Sequence, residues 1–147
     1  MNDQVHTQAG LRGSLLWNAQ RQSILYIPAN PYELTEFTPA GQPVGDFIRS
    51  EAGFRSVSVD KDSGRALPRD RVIRAAVLAD GNLLVEVEKY DVVGPMTVKS
   101  DPYLEVVDSR LHTKSGRIDP EGLGLLAGSD AKGNVYFRLP ERSTTQP

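Results

Sequence analysis

Apolar and polar positions alternate with a period of two along much of this chain, in short runs broken by turn-forming residues. Ile24-Leu25-Tyr26-Ile27 is a compact run of strand formers that stops at Pro28. Tyr32 to Phe37 alternates large and polar side chains, as a half-buried strand does, and ends at Pro39-Ala40-Gly41, a turn. Val44 to Phe47 is expected to carry the return strand. Phe54 to Val59 alternates again and stops at the loop Asp60-Lys61-Asp62-Ser63-Gly64. Arg71 to Leu78 and Leu83 to Val87 flank Asp80-Gly81-Asn82, a strong hairpin signal because Asp and Gly tolerate positive φ. Tyr103 to Val107 follows, with a short strand expected at Arg117-Ile118. Leu123 to Ala127 and Asn134 to Leu139 flank a second such turn, Asp130 to Gly133. Tyr90 to Pro102, with Gly94-Pro95 and Asp101-Pro102, reads as an inserted loop. Helical signals are confined to one turn at most, Ser50 to Gly53. The pattern predicts an all-β chain.

An internal repeat underlies it. A small apolar strand, a tight polar turn and a second apolar strand recur at Leu15 to Tyr26, Ala75 to Val85 and Leu125 to Phe137. A second form follows the first two of these, at Tyr32 to Gly41 and Tyr103 to Gly116. Three motifs, Tyr-x-Leu-x-x-Phe-x-Pro-x-Gly (32–41), Leu-x-Asp-Gly-x-Leu-Leu-Val (78–85) and Gly-x-Asp-x-x-Gly-x-Val-Tyr-Phe (128–137), resemble blade hairpins of six-bladed β-propellers of the NHL-repeat and TolB-like type. The resemblance covers most of residues 14–139 and implies antiparallel four-stranded meanders used to bind proteins or small ligands. A closed ring needs at least four blades of ~40 residues. The chain holds about two and a half such units, so the expectation is an incomplete propeller and a fragment of a longer protein. Residues 1–13 read as a polar N-terminal segment, 14–139 as one domain of blades and 140–147 as a polar tail.

Composition narrows the function classes. The 147 residues carry 17 basic and 19 acidic side chains, a net charge of −2, without the basic excess of a nucleic-acid or membrane-surface binder. The absence of cysteine removes disulfides, thiolate metal sites and thiol nucleophiles. No targeting segment or membrane span is visible, which leaves the compartment unknown, and a secreted or periplasmic parent remains compatible.

Candidate chemistry is sparse. Asp60 to Gly64 is spaced like a calcium loop, but Arg65 and Arg71 stand where an EF-hand needs Gly and Glu. Gly122, Gly124 and Gly128 imitate a dinucleotide loop without the strand before it or the helix after it, and read as a flexible lead into a strand. Ser58 and Lys61 with Lys114-Ser115-Gly116 imitate a serine acyltransferase pattern that an all-β chain cannot assemble. His6 and His112 read as exposed surface. Glu86, Glu88 and Asp91 form an acidic cluster; Glu86 and Glu88 share a face and could act as acid and base, but are expected on a solvated face. Trp17, Tyr26, Phe37, Tyr103, Tyr136 and Phe137 are expected to pack blade against blade. Arg69, Arg71 and Arg74 make a local basic patch without aromatic interleaving. Asp60, Asp80, Asp101 and Asp130 are explained by turn chemistry.

No catalytic, cofactor-binding or metal-binding residue is therefore assigned, and no cofactor. The expected function is a non-enzymatic binding or scaffold module, partnered by the remaining blades of a parent chain or by copies of itself. One alternative is part of a propeller enzyme of hydrolase or lyase type, completed by missing blades. Another is an independent small β-sandwich.

Overall fold

The computed structural model describes residues 13–50, 58–59, 62, 64, 66–67, 70–94 and 97–139. Among these residues there is no helix, and every strand pairing is antiparallel. Strands β1 (Gly13–Asn18), β2 (Ser23–Pro28), β3 (Glu33–Phe37) and β4 (Ile48–Arg49) form a meander in chain order. A two-stranded ladder, β5 (Ser58–Val59) with β6 (Ala66–Leu67), follows. The second meander is β7 (Arg71–Val77), β8 (Leu83–Gly94) and β9 (Thr97–Val107). The chain then returns along β9 through bridges from Val107 to Thr113 and from Leu104 to Ile118, a fourth lane. Strands β10 (Leu125–Ser129) and β11 (Val135–Arg138) make a final hairpin.

Local chemistry explains the turns. In 38–42, 78–82, 108–112 and 130–134 the first residue donates its N–H to the fifth carbonyl and accepts from the N–H of the fourth. The fourth residue of each has positive φ: Gly41, Gly81 and Gly133 near +80°, and Leu111 at 59°. This is the three-residue hairpin loop in which an αL residue closes a type I turn. Asp130 caps its turn by accepting from the N–H groups of Lys132 and Asn134, and Asp108 does the same for Arg110 and His112. Leu111 adopts the αL conformation although it has a Cβ, because its side chain is buried in the core at 3% exposure.

The core lies on both faces of the second meander. Leu83, Val85, Val87 and Val107 face the first meander and pack on Leu25, Ile27, Tyr32 and Leu34. Leu84 and Leu104 face the other way, with Ala76, onto Leu126, Val135 and Phe137. A strand buried on both faces reads as a continuous apolar run rather than an alternation, and Leu83-Leu84-Val85 is such a run. The first strands of the three units, β1, β7 and β10, lie side by side. Gln20 at the β1–β2 turn donates to the Ala79 carbonyl at 2.6 Å, and the Val77 N–H donates to Ser129 Oγ at 3.1 Å. Gly133 packs so tightly that a Cβ there would come within 2.5 Å of Ala79 Cα.

Three expectations are corrected. Residues 90–102 are largely the far part of a long hairpin, paired from Lys89 with Asp101 out to Gly94 with Thr97. Asp91, Lys99 and Ser100 are exposed along it, and its ladder joins backbone groups, which leave no mark on side-chain polarity. Val44 to Phe47 is not the return strand. Pro43 bridges to Phe37, Gly45 and Asp46 bend the chain outward, and pairing resumes at Ile48. The expected strand at Arg117-Ile118 is a single bridge at Ile118. Of Phe54 to Val59, only Ser58 and Val59 lie within the described residues, as does Ser50 of the possible helical turn.

Candidate functional site

Alternation along β8 and β9 buries one carboxylate on each face of the second meander. Glu86, 3% exposed, faces β10, where its Oε2 accepts the Leu126 N–H at 3.1 Å. Burial pushes its carboxyl above the ordinary glutamate range, against the opposing pull of the Leu126 N–H and the Arg74 guanidinium across the β7–β8 ladder. Glu105, 6% exposed and opposite Val85, faces the first meander, where the buried Tyr32 side chain lies on the same side. Burial raises Glu105 too, and burial together with the Glu105 charge drives the Tyr32 hydroxyl far above its usual value. The solvated face expected for Glu86 is thus corrected. The third unit covers it, and its place directly after Leu83-Leu84-Val85 was the signal that both faces are buried. Glu105 escaped notice because the meander that covers it lies far away in the chain.

Glu88, two residues beyond Glu86, sits half-buried at the edge of the same face. Arg71 donates to its Oε2 through Nε at 3.1 Å and Nη2 at 2.9 Å, and Ser100 Oγ donates to Oε1. Burial alone would raise the Glu88 carboxyl, but hydrogen bonds from Ser100, Tyr90 and Arg71 outweigh it and hold the group below its ordinary value. The Arg71 guanidinium lies 4.9 Å from the Tyr90 ring centroid, and burial with the Glu88 contact pushes the Tyr90 hydroxyl up to about 12. Asp91 does not join this group; it stands exposed on β8 opposite Lys99.

Beside these acids a cleft of about 980 Å³ opens between the β7–β8 face and segment 119–125. Its walls are Ile73, Pro102, Pro120, Leu125 and Leu139, and Glu86, Glu88, Asp119 and Glu121 line it with Arg71. A second groove, about 460 Å³, runs along β1, β7 and β10 to the hairpin tips, where Gln20, Ala79 and Gly133 meet.

The other singled-out residues have plain roles. Asp80 accepts from the Asn82 N–H, and Asp130 caps its turn and accepts from the Tyr136 hydroxyl, so turn chemistry holds for both. Asp101 is corrected: it lies within β9 opposite Lys89, not in a turn. His112 is exposed as expected, its Nδ1 3.4 Å from Asp108. Gly122 lies within the turn that the Leu123 N–H closes on the Pro120 carbonyl, and Gly124 leads into β10, packed against the Arg138 carbonyl. Ser115 Oγ accepts from the Val106 N–H, far from any acyltransferase arrangement. Of the basic patch, Arg71 is paired to Glu88 and Arg74 reaches the Ala127 carbonyl. Phe137 packs on Leu126 and Tyr103 on the larger core, as expected between units, whereas Trp17 and Tyr136 are more than half exposed and do not. Tyr26 and Phe37 are partly buried within the first meander. His6, Asp60, Lys61 and Arg69 lie outside the described residues.

Among the described residues no three His, Cys, Asp or Glu side chains converge as a metal site, and no helix is long and apolar enough to cross a membrane. Comparison with protein-family models, with curated proteins and with solved structures finds no match.

Proposed function

We propose that this chain is a non-enzymatic binding or scaffold module built from propeller-type blades, whose remaining sheets come from further blades or from copies of itself. The observation that carries this reading is the side-by-side placement of β1, β7 and β10, the first strand of each successive unit. Each unit buries a face against the next, as stacked repeats do, so both ends of the array are left uncovered. Exposed apolar residues mark both ends: Leu15 and Trp17 on β1, and Leu125, Tyr136 and Leu139 at the final hairpin. A six-bladed ring of the NHL-repeat or TolB-like type is the arrangement that the motifs favour.

Light scattering behind a sizing column tests it. The 16.1 kDa chain is expected to run as a monodisperse dimer or trimer. A stable monomer would overturn self-completion and favour an independent β-sandwich. Aggregation would place the missing sheets on a longer parent.

A further inference from the structure

We propose that the two end faces of the array meet head to tail on a second copy of this chain, closing a ring of two chains. The proposal rests on the reading of the chain as a module of blade-like units, and it names the partner, the order of contact and the copy number. Three observations carry it.

The first is the outer face of the first meander. Leu16, Leu25 and Leu34 point into the core shared with the second meander. Side chains alternate along a strand, so Leu15, Trp17, Ile24, Tyr26 and Phe37 take the opposite face. The register aligns them in two cross-strand rows, Trp17–Ile24–Phe37 and Leu15–Tyr26–Thr35. Leu15 is 72% and Trp17 52% exposed. A contiguous apolar face of this kind marks a place of association.

The second is continuity with the two interfaces inside the chain. The first meander presents one face to the second, and the second presents its other face to the β10–β11 hairpin. Both contacts place one unit on the next with their first strands adjacent. Leu126 and Phe137 of the hairpin face back to the second meander, which leaves Leu125 and Tyr136 on its far face. One more step of the same kind sets that face on the Leu15 and Trp17 face of another copy. This head-to-tail contact covers both ends, whereas a head-to-head pair of first meanders would leave both hairpins bare.

The third is curvature. β1, β7 and β10 line one groove, and the turns at Gln20, Ala79 and Gly133 converge at its end. Units gathered on a common groove turn about an axis, so the head-to-tail contact closes instead of extending into a filament. Propeller rings hold typically about four to eight units. With three units in each chain, two copies fall within that range and three copies exceed it.

The chain contains no cysteine, so introduced thiols report contacts without background. Leu15→Cys and Leu125→Cys, both at exposed positions, are made singly in the full chain and treated with a short bismaleimide. An equimolar mixture, refolded together from urea, is expected to give a covalent dimer that neither variant gives alone. Light scattering of the untreated chain is expected to give twice 16.1 kDa. Trp17→Glu and Leu125→Glu put a charge into the same contact from opposite sides, and each should weaken the dimer about a hundredfold. Cross-linking of Leu15→Cys with itself, a trimeric mass, or a dimer that survives either glutamate would overturn the proposal and leave the module reading in place. An aggregated chain would also overturn it and place the missing sheets on a longer parent. A stable monomer removes both the ring and self-completion.

Discussion

The Glu86 carboxylate accepts the backbone N–H of Leu126 at 3.1 Å, joining β8 to the first strand of the next unit across 40 residues of sequence. β10 is held to the second meander by this bond together with the packing of Leu126, Val135 and Phe137 on Leu84 and Leu104. The contact has one buried donor and one buried charge, so its two obvious substitutions should differ.

Glu86→Ala leaves the Leu126 N–H buried without an acceptor and should cost about 1–3 kcal/mol. Glu86→Gln keeps an acceptor and removes the buried charge, and should cost less than Glu86→Ala. Urea unfolding of the two variants checks the order, and equal losses would show that the hydrogen bond does not matter.

Glu105 gives a pH prediction. Its carboxyl is raised in the folded chain, chiefly by burial, so the folded state holds the proton more tightly than the unfolded state does. The stability tied to that proton is complete below the ordinary value of 4.5 and is lost as pH rises through the folded-state value. Glu105→Gln cannot lose a proton, so its melting temperature should gain on wild type as pH increases from 4.5 towards neutrality. A melting-temperature difference that stays flat over that range would contradict the burial argument.

At Leu111 burial and backbone strain oppose each other, with φ at 59° and the side chain 3% exposed. Leu111→Ala keeps the strained αL conformation and loses packing, at about 2–4 kcal/mol. Leu111→Gly removes one more carbon but relieves roughly 1 kcal/mol of αL strain. The glycine variant should therefore be no less stable than the alanine variant, the reverse of the usual order within a strand or helix. Paired denaturant curves decide it.

Gly41 and Gly133 have nearly the same φ, +84° and +80°, but different surroundings. A Cβ at Gly41 meets nothing within 4 Å, whereas one at Gly133 meets the Ala79 backbone. Gly41→Ala should cost about 1 kcal/mol of strain, and Gly133→Ala a further 1–3 kcal/mol of overpacking. Thermal melts of the two variants measure how firmly the β10–β11 turn is seated on the β7–β8 turn.

The sequence by itself determined what is local. Asp80-Gly81-Asn82 and Asp130 to Gly133 specify their hairpins because turn geometry depends on a few adjacent φ angles. Alternation from Tyr32 to Phe37 specifies a half-buried strand because side chains in a strand repeat every two residues. The all-β class and the order of repeated units follow from such short-range signals. Tertiary structure alone decided the fate of the charges and of the long arm. Glu86 and Glu88 share a strand face, yet one is sealed under Leu126 and the other sits at a cleft edge with Arg71, because only the placement of β10 separates them. Glu105 is buried because the first meander, distant in the chain, packs over its face. The β8–β9 arm was hidden for the same reason. Ladder hydrogen bonds join backbone groups and leave no mark on side-chain polarity, so Tyr90 to Pro102 looked like a loop until its partner strand was in place.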